Sequence, residues 1–234
     1  MAVILNIDTS ASHCSVAVAI DGEIAQGFES AEKMDHSSSL APFIEKCLDF
    51  LKEKKLDPDA VSVASGPGSY TGLRIGMSMA KGIAFGKDIP LITISSLEVM
   101  AVRAIFTDPE FMGDELIVPM IDARRMEVYT GVYDSALNLR IEEHSKILDE
   151  NSFEELIDEK KIIFIGDGTE KFKPIYKGGN AKWLGLGMPH AKYMAALSEI
   201  YYKEKRFSDV AYTVPSYLKE YQTTKPKSSV LKSK

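Results

Sequence analysis

The stretch that decides the fold is Val61-Ser-Val-Ala-Ser-Gly-Pro-Gly-Ser-Tyr-Thr-Gly-Leu-Arg-Ile-Gly-Met-Ser-Met-Ala-Lys-Gly-Ile-Ala-Phe-Gly86. Val61 to Ser65 is a short apolar run that reads as a strand. Gly66-Pro67-Gly68 breaks it with a tight turn that lets backbone approach something closely. Ser69 or Thr71 then caps a helix running to about Phe85. In that helix Ile75, Met79 and Ile83 form one apolar stripe, and Leu73 with Met77 a second. Small residues make two more stripes, Gly72/Gly76/Ala80/Ala84 and Ser78/Gly82/Gly86. Only Arg74, Ser78 and Lys81 form a polar line, and it is narrow. A helix apolar nearly all round is buried on more than one side. Internal glycines cost about 0.5–1 kcal/mol each relative to alanine, so another backbone is expected to pack closely there. The two readings are a central core helix, or a helix with one face on its own sheet and another on a partner.

The glycine loop matches none of three common nucleotide or nucleophile loops. A Walker loop needs Lys-Ser/Thr after its last glycine, and Leu73 follows Gly72. The dinucleotide pattern finds Thr71 in place of its third glycine. The nucleophile elbow fails because Ser69 directly follows Gly68.

Outward from this stretch, Val3 to Ile7, His13 to Ile20 and Glu23 to Glu29 read as three strands, the last two joined by the hairpin signal Asp21-Gly22. A helix follows from Ser38 to Leu51, with Pro42 in its first turn. Its stripes are Leu40/Ile44/Leu48 and Phe43/Cys47/Leu51. Beyond the central helix, Leu91 to Ile94 is a strand, and Ser95-Ser96 caps a helix to about Ile105. The order is βββαβα, a mixed sheet with helices on its faces. Thr107-Asp-Pro-Glu110 and Gly113-Asp114 mark a boundary, and the pattern restarts. Leu116 to Ile121, Met126 to Tyr133 and Ile141 to Leu148 are strands. Ser152-x-x-Glu155 is a capping box before a short helix, and Lys161 to Ile165 is a strand ending in Gly166-Asp-Gly-Thr169. The expected units are therefore 1–106, a degenerate repeat at 107–220 and a disordered basic tail at 221–234.

The chain of 234 residues carries 28 basic and 34 acidic residues, a net charge of −6, which argues against gripping nucleic acid unaided. Cys14 and Cys47 have no metal spacing and suggest a reducing, cytoplasmic setting. No apolar run approaches the roughly 20 residues of a membrane-spanning helix. His13, His36, His144 and His190 include no pair four apart, so no metal site is expected, and no catalytic residues stand out.

The motif Ser65-Gly-Pro-Gly-Ser-Tyr-Thr-Gly-Leu-Arg-Ile-Gly76, with Ala80-Lys-Gly82, closely resembles the signature of the TsaB (YeaZ) family. The resemblance continues in Ile4-Leu-Asn-Ile-Asp-Thr-Ser10, His36-Ser37, Ser95-Ser-Leu97, Asp122-Ala-Arg-Arg-Met-Glu-Val-Tyr129 and Pro215-Ser-Tyr-Leu218. It implies an α/β chain of the actin-like ATPase (ribonuclease H-like) fold with two βββαβα subdomains, the second degenerate. It implies a non-catalytic scaffold or activator of a TsaD-like enzyme in threonylcarbamoyladenosine modification of tRNA. A TsaE-like ATPase, a homodimer when isolated, and tRNA contact only through the complex belong to the same expectation. The superfamily's aspartate after the first strand corresponds to Asp8, which makes Asp8, Thr9 and Ser10 the candidate nucleotide residues. That turn lacks the usual glycine, so no tightly bound cofactor is expected, and ATP or ADP is placed at the partner interface. The surface expected to meet that partner is Leu40, Phe43, Ile44, Cys47 and Leu51 on one helix, with Leu73, Gly76, Met77, Met79, Ala80 and Ile83 on the next. The rival readings are a small-molecule kinase of the same fold, a metal-dependent glycoprotease-like peptidase and a stand-alone tRNA-binding protein.

Overall fold

The computed structural model describes residues 1–30, 36–156, 161–179, 181–185 and 187–219. The basic tail expected at 221–234 lies outside them. The first sheet is built from β1 (Val3–Asp8), β2 (Ser15–Ile20), β3 (Glu23–Glu29), β4 (Ala60–Gly66) and β5 (Leu91–Ser95), in the order β3-β2-β1-β4-β5. β1 pairs antiparallel with β2 and parallel with β4, with Ile7 opposite Val16 on one side and Val63 on the other. Alternation sorts its side chains. Val3, Leu5 and Ile7 enter one core, and Ile4 enters the core on the opposite face. Both faces are covered, which is why β1 is buried along its whole length.

α1 (His36–Glu53) and α2 (Tyr70–Lys87) cover one face. α1 begins at His36, so Pro42 lies inside the helix rather than in its first turn. Ser69 caps α2 by accepting the Gly72 N–H, and Asp88 closes it in the left-handed conformation at φ 55°. α3 (Ser96–Thr107) starts at the Ser95 cap and lies between two sheets. Its Val99 and Val102 pack on the first; its Leu97, Met100, Ala101 and Ala104 pack on the second.

The second sheet contains β6 (Leu116–Asp122), β7 (Glu127–Tyr133), β8 (Leu139–Ile147), β9 (Ile162–Ile165) and β10 (Ala181–Trp183), in the order β10-β9-β6-β7-β8. Substituting β6 for β1, β7 for β2, β8 for β3, β9 for β4 and β10 for β5 reproduces the first sheet. The duplication is real, and its second copy has lost helical mass. A 3-10 turn at Glu154–Leu156 stands where α1 stood, and the four-residue α4 (Thr169–Phe172) where α2 stood. Ser152 exchanges hydrogen bonds with Asp149, and the Glu155 side chain of the expected capping box lies outside what the structure describes. Phe153, Phe164, Phe172, Tyr176 and Trp183 fill that face with edge-on and stacked rings.

The chain then returns to the first sheet. A 3-10 turn (Ala191–Met194) and α5 (Ala195–Lys203) place Ala191, Met194, Leu197 and Tyr201 in the core shared with Ile4 and Ile92. A single break near residue 107 does not anticipate this crossing. Among the described residues, no helix is long and apolar enough to cross a membrane.

Candidate functional site

The loop after β1 and the start of α2 lock together. Ser10 donates to Asp8 Oδ1 through its amide (2.8 Å) and its hydroxyl (2.6 Å). Thr9 Oγ1 donates to the Gly72 carbonyl at 2.7 Å, and Ser69 N donates to Ser10 O at 2.7 Å. A β-carbon at Gly72 would collide with Thr9 O, one at Gly76 with Thr9 Oγ1, and one at Gly68 with Ser10 O. The small stripe of α2 therefore does admit a closely packed backbone, and that backbone is the chain's own. Asp8, Thr9 and Ser10 are 1%, 0% and 3% exposed. The Ser10 amide and the Thr9 and Ser10 hydroxyls bond inside the chain, and the three buried residues offer no open surface to a phosphate. Close by, His190 hydrogen-bonds Glu29 at 2.7 Å through Nε2 and accepts the Lys192 N–H through Nδ1. Burial lowers its pKa although Glu29 opposes this. The described residues contain no cluster of three or more His, Cys, Asp or Glu suited to a metal ion. His36 starts α1, but its side chain lies outside what the structure describes.

The eleven residues expected to meet a partner divide by burial. Leu40, Ile44, Cys47, Leu51, Leu73, Gly76, Met77 and Ala80 are buried inside the chain's own core. Phe43, Met79 and Ile83 are half-buried against that core. The expectation is corrected for the first eight, because periodicity reveals stripes but not which stripe faces the sheet. Burial pushes the Cys47 thiol up to about 12, so it stays protonated and inert at neutral pH. The outward face of α2 is instead Ser78, Gly82, Phe85 and Gly86, flanked by Ile75, Met79 and Ile83. A β-carbon at Gly82 or Gly86 would meet nothing within 4 Å, and Phe85 is 82% exposed.

Sequence reasoning missed a third element of this layer, the strap formed by residues 208–219. Ser208 bridges Leu91 on β5. Lys81 Nζ then donates to the carbonyls of Ala211 and Thr213, each at 3.0 Å. Ser216 N donates to Ser65 O at 2.7 Å, and Arg74 Nε to Tyr217 Oη at 3.1 Å. The Tyr217 ring packs on Tyr70, 5.3 Å between centroids. The strap thus runs antiparallel to α2 and is held by the ends of the polar line, Arg74 and Lys81. It leaves Tyr212 and Val214 exposed. The resemblance to Pro215-Ser-Tyr-Leu218 was its only signal in the sequence.

A second cluster joins the two sheets. The Ser95 and Tyr133 hydroxyls both donate to Glu143 Oε1, and Tyr201 Oη donates to Glu98 at 2.8–2.9 Å. Burial raises both carboxyls above the usual range, more than these bonds lower them.

Comparison with known proteins places this geometry. The family described as TsaD, tRNA N6-adenosine threonylcarbamoyltransferase, matches residues 29–232. The chain is 32% identical to the Bacillus subtilis (strain 168) "tRNA threonylcarbamoyladenosine biosynthesis protein TsaB" over 224 residues, 92% of this chain and 93% of that protein. It is 30% identical to the Haemophilus influenzae protein of the same name over 95% of both chains. Among solved structures, a Pseudomonas aeruginosa protein described as similar to peptidase YEAZ superposes with a TM-score of 0.80 at 25% identity. That superposition covers 94% of this chain and 100% of the other.

Proposed function

The chain belongs to the TsaB family of tRNA threonylcarbamoyladenosine biosynthesis proteins, and on that premise we propose that it is a non-catalytic subunit that docks on a TsaD-type threonylcarbamoyltransferase. The observation that carries this reading is the outward face of α2, where Gly82 and Gly86 are open and Phe85 projects into solvent. Small residues on an apolar helix face let a second helix approach closely, and an exposed apolar patch is a liability unless covered. A TsaD-type subunit shares this domain and can present a like surface, so the pairing is between homologous faces. The same face serves a homodimer when the chain is alone, and a TsaE-like ATPase joins the pair. The buried Asp8–Ser10 turn supports a chain without phosphoryl chemistry of its own; ATP or ADP is assigned to the junction with the partner. The place of action is the cytoplasm.

Co-purification with a TsaD-type subunit, followed by a tRNA modification assay with and without this chain, tests the reading. The expected result is a complex and modification that depends on both chains. Modification by the partner at full rate without this chain would overturn it. So would turnover of ATP by this chain alone at about 1 per second or more.

A further inference from the structure

The tip of the β6–β7 hairpin is built at odds with backbone preference. Arg124 and Arg125 are consecutive and both left-handed, at φ 71° and 51°. That conformation is sparsely populated by residues other than glycine, asparagine and aspartate, and residues held in it collect at functional positions. The surroundings impose it. Ala123 N donates to Glu127 O, and Arg124 N donates to Asp122 Oδ1 at 2.7 Å. Lys171 Nζ donates to Asp122 Oδ1, Arg125 O and Glu127 O at 2.5–2.8 Å, and Asp122 N donates to Asp167 Oδ1. A rigid frame therefore projects two adjacent guanidinium groups into solvent.

The acidic groups at the tip already have cations. Lys171 pairs with Asp122 at 2.6 Å, and Lys219 with Glu127 at 2.6 Å. Burial would raise the Asp122 carboxyl, but the Lys171 bond, the Arg124 amide and the charges of both residues hold it low. Asp167 is raised by burial, its bonds notwithstanding. Among the described residues, neither Arg124 nor Arg125 forms an ion pair. The strap ends here too, because Lys219 is fixed to Glu127. The sequence beyond it, from Gln222 to Lys234, carries Lys225, Lys227, Lys232 and Lys234 and no acid. The tip thus carries two exposed arginines without an ion pair in a protein of net charge −6.

We propose that Arg124 and Arg125 form a phosphate-contact site for RNA, so that this chain itself touches the tRNA backbone. Guanidinium groups donate bidentately to phosphate oxygens, and fixing them beforehand reduces the ordering that binding requires. Two adjacent guanidinium groups suit successive phosphates of a linear polyanion better than an isolated carboxylate. The site holds whether or not α2 docks a partner, and its affinity in the isolated chain is weak because the chain's net charge is −6.

The test is fluorescence anisotropy of fluorescein-labelled tRNA with the full-length chain, titrated from about 50 mM salt upward, where each phosphate contact adds about 0.7–0.9 to the slope of log K against log salt. Arg124→Gln/Arg125→Gln should weaken binding about tenfold and lower that slope by about 1–2. Arg124→Lys/Arg125→Lys, which keeps the charges but not the bidentate fork, should keep the salt slope and weaken binding less than the Gln pair does. Circular dichroism melting confirms that both variants fold, and Arg125→Gln alone serves if the double variant does not. The proposal fails if the parent does not bind at about 50 mM salt, or if the Gln variants keep its affinity and slope. It fails equally if ATP displaces the tRNA, which would make the site one for free nucleotide phosphate. Displacement by polyglutamate as effective as by unlabelled tRNA would assign the arginines to an acidic protein and also sink it.

Discussion

Gly76 of α2 packs directly on the hydroxyl of Thr9, the residue that follows β1, while Thr9 Oγ1 donates to the Gly72 carbonyl at 2.7 Å. One threonine thus accounts for two of the glycines in the small stripe. It binds the helix to the strand loop, in place of the partner helix that the stripe alone suggests.

The first prediction separates the inner stripe from the outer one. Gly76→Arg and Ala80→Arg put a long charged side chain into a site with no room, and should destabilise by about 3 kcal/mol or more, or prevent folding. Gly82→Arg and Phe85→Asp sit in open space and should leave the melting temperature within a few degrees while abolishing association. Circular dichroism and light scattering on the four variants are the check. Retained association in both outer variants would move the docking face elsewhere.

The strap should behave as a separable element. Lys81→Met removes the donor to two strap carbonyls, and Arg74→Ala removes the bond to Tyr217. Each hydrogen bond is worth about 1 kcal/mol net, so the chain should still fold. Hydrogen exchange at residues 211–217 should rise at least several-fold in the double variant, with exchange in β1 and β4 unchanged. Equal protection in parent and variant would show that packing of Val210 and Leu218 holds the strap by itself.

Glu143 links the sheets at a cost that depends on pH. Its folded pKa is raised, chiefly by burial, so folding takes up its proton. That contribution is fully present below the ordinary carboxylate value of 4.5 and is lost as pH rises through the folded pKa. Glu143→Gln keeps an oxygen for the Ser95 and Tyr133 hydroxyls but no charge. Relative to the parent, it should gain stability as pH rises from about 4 to 8. Glu143→Ala leaves two hydroxyls without their acceptor and should lose about 2–3 kcal/mol at about pH 4, a loss that shrinks as pH rises through the folded pKa. Urea melts across this range decide it, and a pH-independent difference between Gln variant and parent would contradict the assignment.

Glu115 shows the opposite sign. Burial would raise its carboxyl, but amides of Met112, Gly113 and Asp114 donate to it at 2.8–3.2 Å and hold it below the usual range. Its contribution is therefore present above the ordinary value of 4.5 and fades as pH falls through the depressed folded value. Glu115→Gln should cost about 1–3 kcal/mol at neutral pH, with the gap to the parent narrowing in acid. A gap that stays constant down to about pH 2 would refute the role of the charge.

The features legible in the chain alone are local or periodic. The alternation of Val16 and Val18, the Asp21-Gly22 hairpin, the caps Ser69 and Ser95 and the restart after Gly113 are written in neighbouring residues, and the duplicated α/β fold follows from them. The narrow polar line of α2 was equally legible. Which residues those features face is settled by the folded chain. Gly76 meets Thr9, Lys81 meets a strap from 130 residues downstream, and Glu143 meets Ser95 across two sheets. A helix's periodicity states how many faces it has; the partner on each face depends on contacts between residues far apart in the chain. For that reason, eight of the eleven residues expected at the docking surface turned out to be core. The outward set of Gly82, Phe85 and Gly86 became visible only once the sheet, the Thr9 loop and the strap had each taken one side of α2.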